Sequence, residues 1–593
     1  YHSLSLISVN DQPLSSSGRE FRLKGGEKLL DIFRSFSATE KIVFLFFTTI
    51  ALVTALILAY TATQYFLITV PRNGGTLTEG EIGVPRTINP VLASTDTDKD
   101  LTKLIYSGLL RQNISGKLVP NLAESYSVSS DGLVYDFILK KNLHFDDGTP
   151  ITTDDVIFTI SKIQDLAIKS PERAAWSDVT VKKVSQTELQ FILKQPYQTF
   201  LQNTTLGIIP EHIWKNVNDD QFAFSSYNVQ PVGDGPYKVS GIVKDANGIP
   251  QSYTLVPNDH AIIEPHIAKI ILQFYPDESR AFEAFTAGEI DSLSSVNPQD
   301  AATLASSSKA TRVFVSPVPR MFGVFFNQNQ NPIFTDKAVR QALSLSVNRQ
   351  DIIDRVISGY GNPIDSPVIT DTQTSQKLTG STTNSFDKNV ALATSTLEKD
   401  GWKLGSDGIY AKTISKKTQR LSFTITTADT PDLKTTAHLL ASEWQSIGVS
   451  VTVNVLEYGD LENTIDSRQY DSLLFGEYVG NGLDLYAFWH SSQRNAPGLN
   501  IAGYVNSTAD RELTSIRTAT NSTDLKAALA AFDSTFKSDV PAIFIYEPDF
   551  IYVMDDKVQN VSIMSVSSPA DRFNGIADWY IETDRIWPIF QNL

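Results

Sequence analysis

The sequence predicts a mixed α/β protein that follows a single transmembrane helix. Residues 42–70 form an apolar run of 29 positions without a charge. At about 1.5 Å per residue, this run is long enough to cross a hydrocarbon core of about 30 Å. Further along, residues 421–456 have the pattern of a strand, a helix and a second strand, a β-α-β unit typical of sheets with parallel pairs and helices on their faces.

The apolar run is better suited to a membrane anchor than to a cleaved signal peptide, whose apolar region has roughly 7–15 residues. A buried core helix of a soluble protein is the less favoured alternative. Basic residues before the run favour a cytoplasmic tail over residues 1–41, with the anchor over 42–70 and a large domain outside the cytoplasm. These basic residues are Arg19, Arg22, Lys24, Lys28, Arg34 and Lys41.

The composition excludes several classes of function. The chain has a net charge of −16 and no cysteine. An acidic surface is repelled by phosphate backbones, so nucleic acid is not expected as a partner. The lack of cysteine excludes disulfides, thiol catalysis and zinc–thiolate sites. It also excludes a lipid-modified N-terminal cysteine, so the transmembrane helix is the expected tether.

The first half of the domain shows strands and helices with clear start signals. A helix is expected after Thr152 or Thr153 as N-cap, with two aspartates in its first turn. Other expected elements are a strand from Gly74, a helix over 98–110 ending near Gly108, strands over 133–139 and 187–193, and a strand from Tyr237 after a Gly-Asp-Gly-Pro turn.

The second half begins near Phe325 and contains two helices, the first capped by Thr335 or Asp336 and the second running from Arg349 to Gly359. Residues 370–386 are polar and predict a surface loop. The β-α-β unit is expected as strand 421–427, helix 433–447 and strand 449–456. Residues 540–554 predict a buried strand pair broken by Pro548.

Several motifs now resemble one family in order and spacing. They are GGTLTEGEIGVPRTINPVLA from Gly74, the block from LIYSGLL to FDDGTPITTDDVIFTI, GDGPYKV, the FFN…FTDKAVRQALSLSVNRQDIIDRVISGYGNP block, EKDGWKLGSDGIY and WQSIGVSVTV. Over residues 74–593 the chain is similar to family 5 extracellular solute-binding proteins, which deliver peptides or nickel chelates to ABC importers.

This resemblance implies two α/β lobes that close on a ligand like a hinged clamp. Lobe I would comprise 74–95, 225–325 and 548–593, with an inserted subdomain over 96–224, and lobe II would cover 326–547. The chain would cross between the lobes near Pro319–Asn327 and Tyr546–Asp549. The ligand is expected in the cleft between them.

Signatures of catalysis and metal binding are not seen in the sequence. There is no G-x-S-x-G elbow, phosphate-binding loop or H-E-x-x-H pair. Acidic pairs such as Asp146-Asp147 fit turn and capping roles better than acid–base chemistry. The seven histidines are scattered. We therefore expect no enzyme activity, no cofactor and no metal site.

The segment 470–493 is the sharpest candidate for ligand binding. In peptide-binding relatives it reads roughly YDxxLxGWxADYxDP, and the aspartate of ADY receives the peptide α-ammonium. Here a glutamate occupies the tryptophan position and a glycine the aspartate position, so the charge would come from Glu477 or Asp484, or the ligand lacks a free amine. Asp484 acting only as a helix cap and Trp489 packing in the core are the alternatives. The candidate ligand-binding residues are Glu477, Tyr478, Gly480, Asp484, Tyr486 and Trp489.

The expected function is therefore a membrane-anchored binding protein that captures peptides for the permease subunits of an ABC importer. It is expected to be a monomer, with its N-terminus in the cytoplasm and its main domain extracellular or periplasmic. The alternatives are the same fold with a nickel chelate, an oligosaccharide or an opine-like ligand, and an anchored ligand sensor or peptide-binding chaperone. An extracellular hydrolase is less favoured.

Overall fold

The computed structural model describes residues 33, 35–197, 199–306, 311–368, 383–414, 417–478, 485–495, 498–519, 521–564 and 566–588. The chain forms two units. One contains the N-terminal helix and the last residues of the chain, and the other is a body over residues 71–582.

The N-terminal helix, α1 (Ala38–Phe66), contains most of the predicted membrane span. The Ser37 hydroxyl accepts a hydrogen bond from the backbone N–H of Glu40, whose carboxylate accepts one from the Ser37 N–H at 2.8 Å. This capping box satisfies N–H groups that the first turn leaves without a partner. Among the described helices, α1 alone is long and apolar enough to cross a membrane, from Ala38 to Thr61. The last residues of the apolar run lie in strand β1 (Ile68–Arg72) instead.

The body starts with strand β2 (Gly74–Ile82), as expected. The region after it is built on a four-stranded antiparallel sheet in the order β5-β6-β8-β7. Thr152 caps helix α3, and the Asp155 carboxylate accepts the Thr152 N–H at 2.8 Å. The elements are α2 (Asp96–Ile105), β3 (Leu110–Gln112), β4 (Leu118–Pro120), β5 (Ala123–Val128), β6 (Val134–Leu139), α3 (Thr153–Gln164), α4 (Arg173–Trp176), β7 (Val179–Lys183), β8 (Glu188–Leu193), α5 (Phe200–Asn203) and α6 (Glu211–Trp214).

The next region returns to the main sheet. It begins with β9 after the Gly-Asp-Gly-Pro turn, and β11 pairs in parallel with β2. The elements are β9 (Tyr237–Lys244), β10 (Pro250–Pro257), β11 (Ile267–Tyr275), α7 (Glu278–Ala287), β12 (Ser292–Ser294), α8 (Pro298–Ser306) and β13 (Thr311–Pro317).

The following region contains the predicted β-α-β unit as β19, α12 and β20, with β19 and β20 parallel. Asp336 caps α9, and α10 begins at Arg349. The elements are β14 (Arg320–Phe326), α9 (Lys337–Leu345), α10 (Arg349–Val356), β15 (Gly361–Pro363), α11 (Thr383–Lys399), β16 (Lys403–Leu404), β17 (Tyr410–Ile414), β18 (Lys417–Arg420), β19 (Ser422–Ala428), α12 (Pro431–Ser446), β20 (Ser450–Leu456), α13 (Tyr458–Ser467), β21 (Ser472–Tyr478), α14 (Leu485–Trp489), α15 (Ser507–Thr518) and α16 (Ser522–Asp539).

Helix α11 corrects the end of the predicted polar loop over 370–386. The helix begins at Thr383, because Val390, Ala393 and Leu397 recur at helical spacing and pack on the core. The part of the loop before position 383 lies outside the described residues.

A twelve-stranded sheet runs through the body along the path β20-β19-β21-β14-β22-β12-β2-β11-β10-β9, with β13 and β15 also paired to β22 (Ala542–Asp555). The expected strand pair broken by Pro548 is wrong, because β22 is one strand of 14 residues. Its first half pairs with β14 and its second half with β13. Pro548 lies at this change of partner, where it accepts a hydrogen bond from the Val318 N–H. A residue without an N–H is tolerated at such a junction. The last strand, β23 (Glu582–Ile586), pairs with β1.

Two large hydrophobic cores divide the body. One contains buried residues between Leu77 and Phe274 together with residues from Phe550 to Trp579, and we call the part around it lobe I. The other lies between Met321 and Tyr546, and we call the part around it lobe II. The chain passes from one core to the other between β13 and β14 and again within β22. A third, smaller core lies around α7 and α8.

A buried ion cluster ties distant segments of lobe I together. Arg572, in the 3-10 helix Pro569–Asp578, lies 2.7 Å from Glu81 and 2.9 Å from Asp100. It also contacts Glu79 at 3.0 Å, and all four side chains are almost fully buried. Burial raises the pKa of Glu79 and Glu81, while the nearby guanidinium opposes that shift. The cluster links β2, α2 and the end of the chain.

Candidate ligand-binding site

Two neighbouring strands of lobe II have an end at the passage between the lobes. There β14 begins and β21 ends, with Arg320 paired to Tyr478 and Met321 to Glu477. From β19 the chain moves outward to β20 and then returns past β19 to β21. Ligands bind outside the carboxyl ends of parallel strands at such a reversal. The carboxyl ends of β19 and β21, at Ala428 and Tyr478, therefore mark the candidate site.

Glu477 has an unusual environment at the carboxyl end of β21. It is 4% exposed, and no described residue makes a hydrogen bond to either oxygen of its carboxyl group. Burial raises the pKa of this carboxyl well above its ordinary value. A buried carboxylate without a partner is strongly unfavourable. Glu477 therefore stays a candidate site residue, since a hydrogen-bonding or positively charged group beside it would relieve this unfavourable environment.

Glu477 lines a cavity of about 400 Å³ within lobe II. The walls come from α13, the end of β21, α14 and the chain near position 500. Three carboxyl groups line the cavity, two of them exposed on α13, and the other side chains are apolar. The lining residues are Leu461, Glu462, Ile465, Asp466, Phe475, Gly476, Glu477, Phe488, Leu499 and Ile501.

Tyr486 lies where the two lobes approach each other. Its ring stacks on the ring of His490 with centroids 4.0 Å apart, and the Arg517 guanidinium lies 4.6 Å from its centroid. Arg517 also lies 5.8 Å from the ring centroid of Tyr197, which lies between β8 and α5. Tyr486 is therefore close to the part of lobe I that contains Tyr197, and its role in ligand binding stays a prediction.

Trp489 lies in the core of lobe II, which is the alternative that the sequence left open. It is 1% exposed, and its ring centroid is 4.7 Å from that of Phe536 and 5.9 Å from those of Phe325 and Phe544. A side chain packed in this way contributes to the stability of the lobe.

The remaining candidates are less well defined. Tyr478 is the last residue of β21. Gly480 and Asp484 lie outside the described residues, so the roles of Asp484 as amine ligand or helix cap both stay predictions. The described part of helix α14 covers Leu485–Trp489.

The structure adds two acidic residues that the sequence analysis did not single out. Glu547 and Asp549 flank Pro548 on β22 at the passage between the lobes. Burial, with the neighbouring Asp549, raises the pKa of Glu547 to about 7, and burial raises the pKa of Asp549 to about 6. Their signal in the sequence is the Glu-Pro-Asp interruption of an otherwise apolar stretch.

Metal binding by the protein alone finds no support in the part of the chain that the structure describes. No group of three or more His, Asp or Glu side chains is placed there to hold a metal ion.

Comparison with known proteins identifies the family. Residues 117–498 match the model of the bacterial extracellular solute-binding proteins, family 5, middle region. The oligopeptide-binding protein AppA of Bacillus subtilis is 26% identical over 82% of this chain and 89% of its own length. The nickel-binding periplasmic protein of Escherichia coli is 27% identical over 65% of this chain and 72% of its own length.

Solved structures agree with this assignment. The structure of AppA from Bacillus subtilis in complex with a nonapeptide is 25% identical, with a TM-score of 0.67 over 86% of this chain and 100% of that chain. The predicted fold class, a two-lobed α/β periplasmic-binding-protein fold after one apolar helix, is confirmed. The family match covers more than half of the chain. The chain therefore belongs to family 5 of the bacterial extracellular solute-binding proteins.

Proposed function

We propose that this protein is a membrane-anchored binding protein that captures peptides between its lobes and delivers them to the permease subunits of an ABC importer. The observation that carries the proposal is Glu477, a buried carboxyl group without a described partner at the carboxyl end of β21. A peptide α-ammonium would supply the missing hydrogen-bond donors and the opposite charge. The relative named for oligopeptide binding and the AppA complex with a nonapeptide support this ligand class.

Ligand capture would use the two passages between the lobes as a hinge. The cores meet at the β13–β14 connection and at Pro548, which supports crossings near Pro319–Asn327 and Tyr546–Asp549. We propose the boundaries expected from the sequence, with lobe I over 74–95, 225–325 and 548–593, the inserted subdomain over 96–224, and lobe II over 326–547. The protein would act by binding and release, without catalysis.

The anchor would keep the binding domain at the outer face of the cell membrane. In this arrangement α1 spans the membrane, residues 1–41 lie in the cytoplasm and the body works as a monomer outside it. The length of α1 and its exposed apolar side chains support this reading.

A nickel chelate is the second candidate ligand. The Escherichia coli relative named for nickel binding favours it. In that case the metal would arrive inside an organic chelator, since the described residues offer no cluster of metal ligands. An oligosaccharide ligand or a sensor role would keep the same fold.

The experiment is native mass spectrometry of the full chain, purified in detergent from its own cells, to identify the ligand that copurifies. Thermal unfolding with a peptide library, with nickel alone and with nickel plus histidine follows. Peptides at about 100 times Kd should add about 2.7 kcal/mol of stability. Stabilisation by nickel–histidine with none by peptides would select the second candidate.

A further inference from the structure

We infer that the cavity beside Glu477 holds the first residue of the peptide and selects peptides whose first side chain is large and apolar. The peptide ammonium would pair with Glu477 while its first side chain fills the cavity. This inference rests on the proposed function, since it assumes a peptide whose amino end meets Glu477, and it adds where the first side chain lies and which first residues are preferred.

The size of the cavity fits this occupant. Its volume is about 400 Å³. An apolar cavity of about 150 Å³ is enough to hold a benzene molecule. The cavity beside Glu477 therefore has room for a phenylalanine or leucine side chain together with the backbone atoms that carry the amine.

The walls of the cavity are chemically suited to an apolar side chain. Most of the lining side chains are hydrocarbon or aromatic, and they come from several separate segments of lobe II. Removing apolar surface from water at such a wall favours binding in proportion to the area buried. These side chains are Leu461, Ile465, Phe475, Phe488, Leu499 and Ile501.

The charges determine which end of a peptide enters. Glu477 lies inside the cavity, Glu462 and Asp466 line it as exposed residues of α13, and no lysine, arginine or histidine is among the described lining residues. A peptide carboxylate would face two exposed carboxylates of its own sign and a buried acid, whereas an ammonium would attract both carboxylates and favour the charged form of Glu477. A site with one sign of charge and apolar walls concentrates the opposite charge. The amino end is thus the end that the cavity accepts.

The position of Glu477 supports this placement. Glu477 is the next-to-last residue of β21 and pairs with Met321, one residue from the start of β14 at the passage between the lobes. A group held by Glu477 would therefore lie beside the cleft. The rest of a long peptide would extend from the cavity toward lobe I.

The test is isothermal titration calorimetry of the full chain in detergent with three matched nonapeptides. They share eight residues and differ at the first position: phenylalanine, glycine, or N-acetylated phenylalanine. We expect the phenylalanine peptide to bind at least about 10-fold more tightly than the glycine peptide. Acetylation, which removes the positive charge, should weaken binding by at least about 30-fold, as loss of one partner of a buried charge pair does.

Three variants localise these effects to the cavity. Glu477→Gln should weaken binding of the phenylalanine peptide by at least about 30-fold. In this variant, acetylation of the peptide should change the affinity very little. Ile465→Trp, or Leu499→Trp from the half-exposed wall, should abolish the preference for phenylalanine while glycine-peptide binding stays within about 3-fold. Asp460→Asn, which removes an exposed carboxylate of α13 outside the cavity lining, is the matched control and should change binding by less than about 3-fold.

The outcomes separate the inference from the proposed function. Equal binding of all three peptides, with Glu477→Gln unchanged, would overturn the inference and leave peptide binding standing. Failure of every peptide to bind the parent protein, with binding of nickel–histidine, would overturn both. Far-ultraviolet circular dichroism and thermal unfolding of each variant show that a loss of binding is not a loss of fold.

Discussion

At the scale of the residue, two buried acidic sites differ in whether their carboxyl groups are paired. Glu79, Glu81 and Asp100 share Arg572, and Glu79 also accepts a hydrogen bond from Tyr552 at 2.7 Å. Glu477 is equally buried and has no described partner. Buried charges persist in proteins when they are paired. The first site is therefore a structural cluster, and the second stays a candidate for ligand binding.

Arg572→Met should destabilise the protein strongly. The variant leaves three acidic groups buried without their cation, and breaking such a cluster typically costs about 3–5 kcal/mol. Thermal unfolding of the full chain in detergent measures the effect. Lys194→Met is the control, because Lys194 pairs with Asp178 at 2.6 Å on the surface, with its side chain 72% exposed. That change should stay within about 1 kcal/mol, and equal effects of the two would contradict the assignment.

Glu547→Gln should change the pH dependence of stability. The folded state holds the Glu547 proton up to a pKa of about 7, whereas the ordinary value is 4.5. The folded state therefore binds more protons than the unfolded state in this window, and stability falls as pH rises from about 4.5 to 7. The glutamine variant lacks this loss. Its melting temperature should match the parent at pH 4.5 and exceed it at pH 8.

A variant with the same difference from the parent at both pH values would show that Glu547 does not titrate in this way. Asp549→Asn provides the comparison for the neighbouring carboxyl group, whose pKa lies near 6. Its gain should appear at lower pH than that of Glu547→Gln.

The environment of a residue could be predicted from the sequence only where it depends on neighbouring positions. Glu477 is a candidate because of its position in a motif, but its cavity depends on residues of α13 and of the chain near position 500 that no local pattern connects. Glu547 was missed because its burial depends on which strands cover β22. Both environments are created by segments distant in sequence.

At the scale of elements, local signals predicted the structure well. Thr152 and Asp336 cap the expected helices, and the β-α-β unit appears within one or two residues of its predicted bounds. These signals lie within one turn of the element that they start. Strand β22 was misread because its continuity depends on β13, β14 and β15, which supply partners on both sides of Pro548. The sequence of a strand does not specify which strands pair with it.

The Gly-Asp-Gly-Pro turn gives an element-scale prediction. A Cβ atom on Gly235 would lie 2.5 Å from the carbonyl carbon of Ile105, at the end of α2. Gly235→Ala should therefore push the turn away from α2 and cost about 1–3 kcal/mol or more, as overpacking does. Chemical or thermal unfolding measures the change.

Gly459→Ala is the matched glycine control. Gly459 lies in the first turn of α13, and a Cβ atom there meets nothing within 4 Å. Alanine has the higher helix propensity, so this change should leave stability unchanged or raise it by up to about 1 kcal/mol. A Gly235→Ala variant as stable as the parent would contradict the close approach of the turn to α2.

At the scale of the whole molecule, the single apolar helix predicts how the protein behaves in cells. The full chain should remain in the membrane pellet after extraction with sodium carbonate, which releases peripheral proteins, and detergent should release it. The physical reason is the burial of the apolar residues of α1 in the bilayer. A variant with two arginines in the middle of α1, Leu52→Arg and Leu56→Arg, should lose this retention. Recovery of the parent chain in the soluble fraction would contradict the anchor.

The architecture of the whole molecule was predictable through family motifs rather than through physics alone. Hydrophobic patterns predicted an α/β class and an apolar helix long enough to cross a membrane. The division into two cores required knowing that segments hundreds of residues apart share one lobe. No periodicity in the sequence shows that these distant segments pack into one core.

The ion cluster of lobe I has a consequence for the order in which the protein folds during synthesis. Glu79 and Arg572 are 493 residues apart. At about 5–20 residues per second, the ribosome adds the arginine about 25–100 s after the glutamate. The core of lobe II needs only residues between Met321 and Tyr546, so it is complete before lobe I, which still needs residues from Phe550 to Trp579. Glu79 and Glu81 are thus synthesised long before Arg572, the cation that pairs with them. Lobe I begins the body and is the last lobe to be completed.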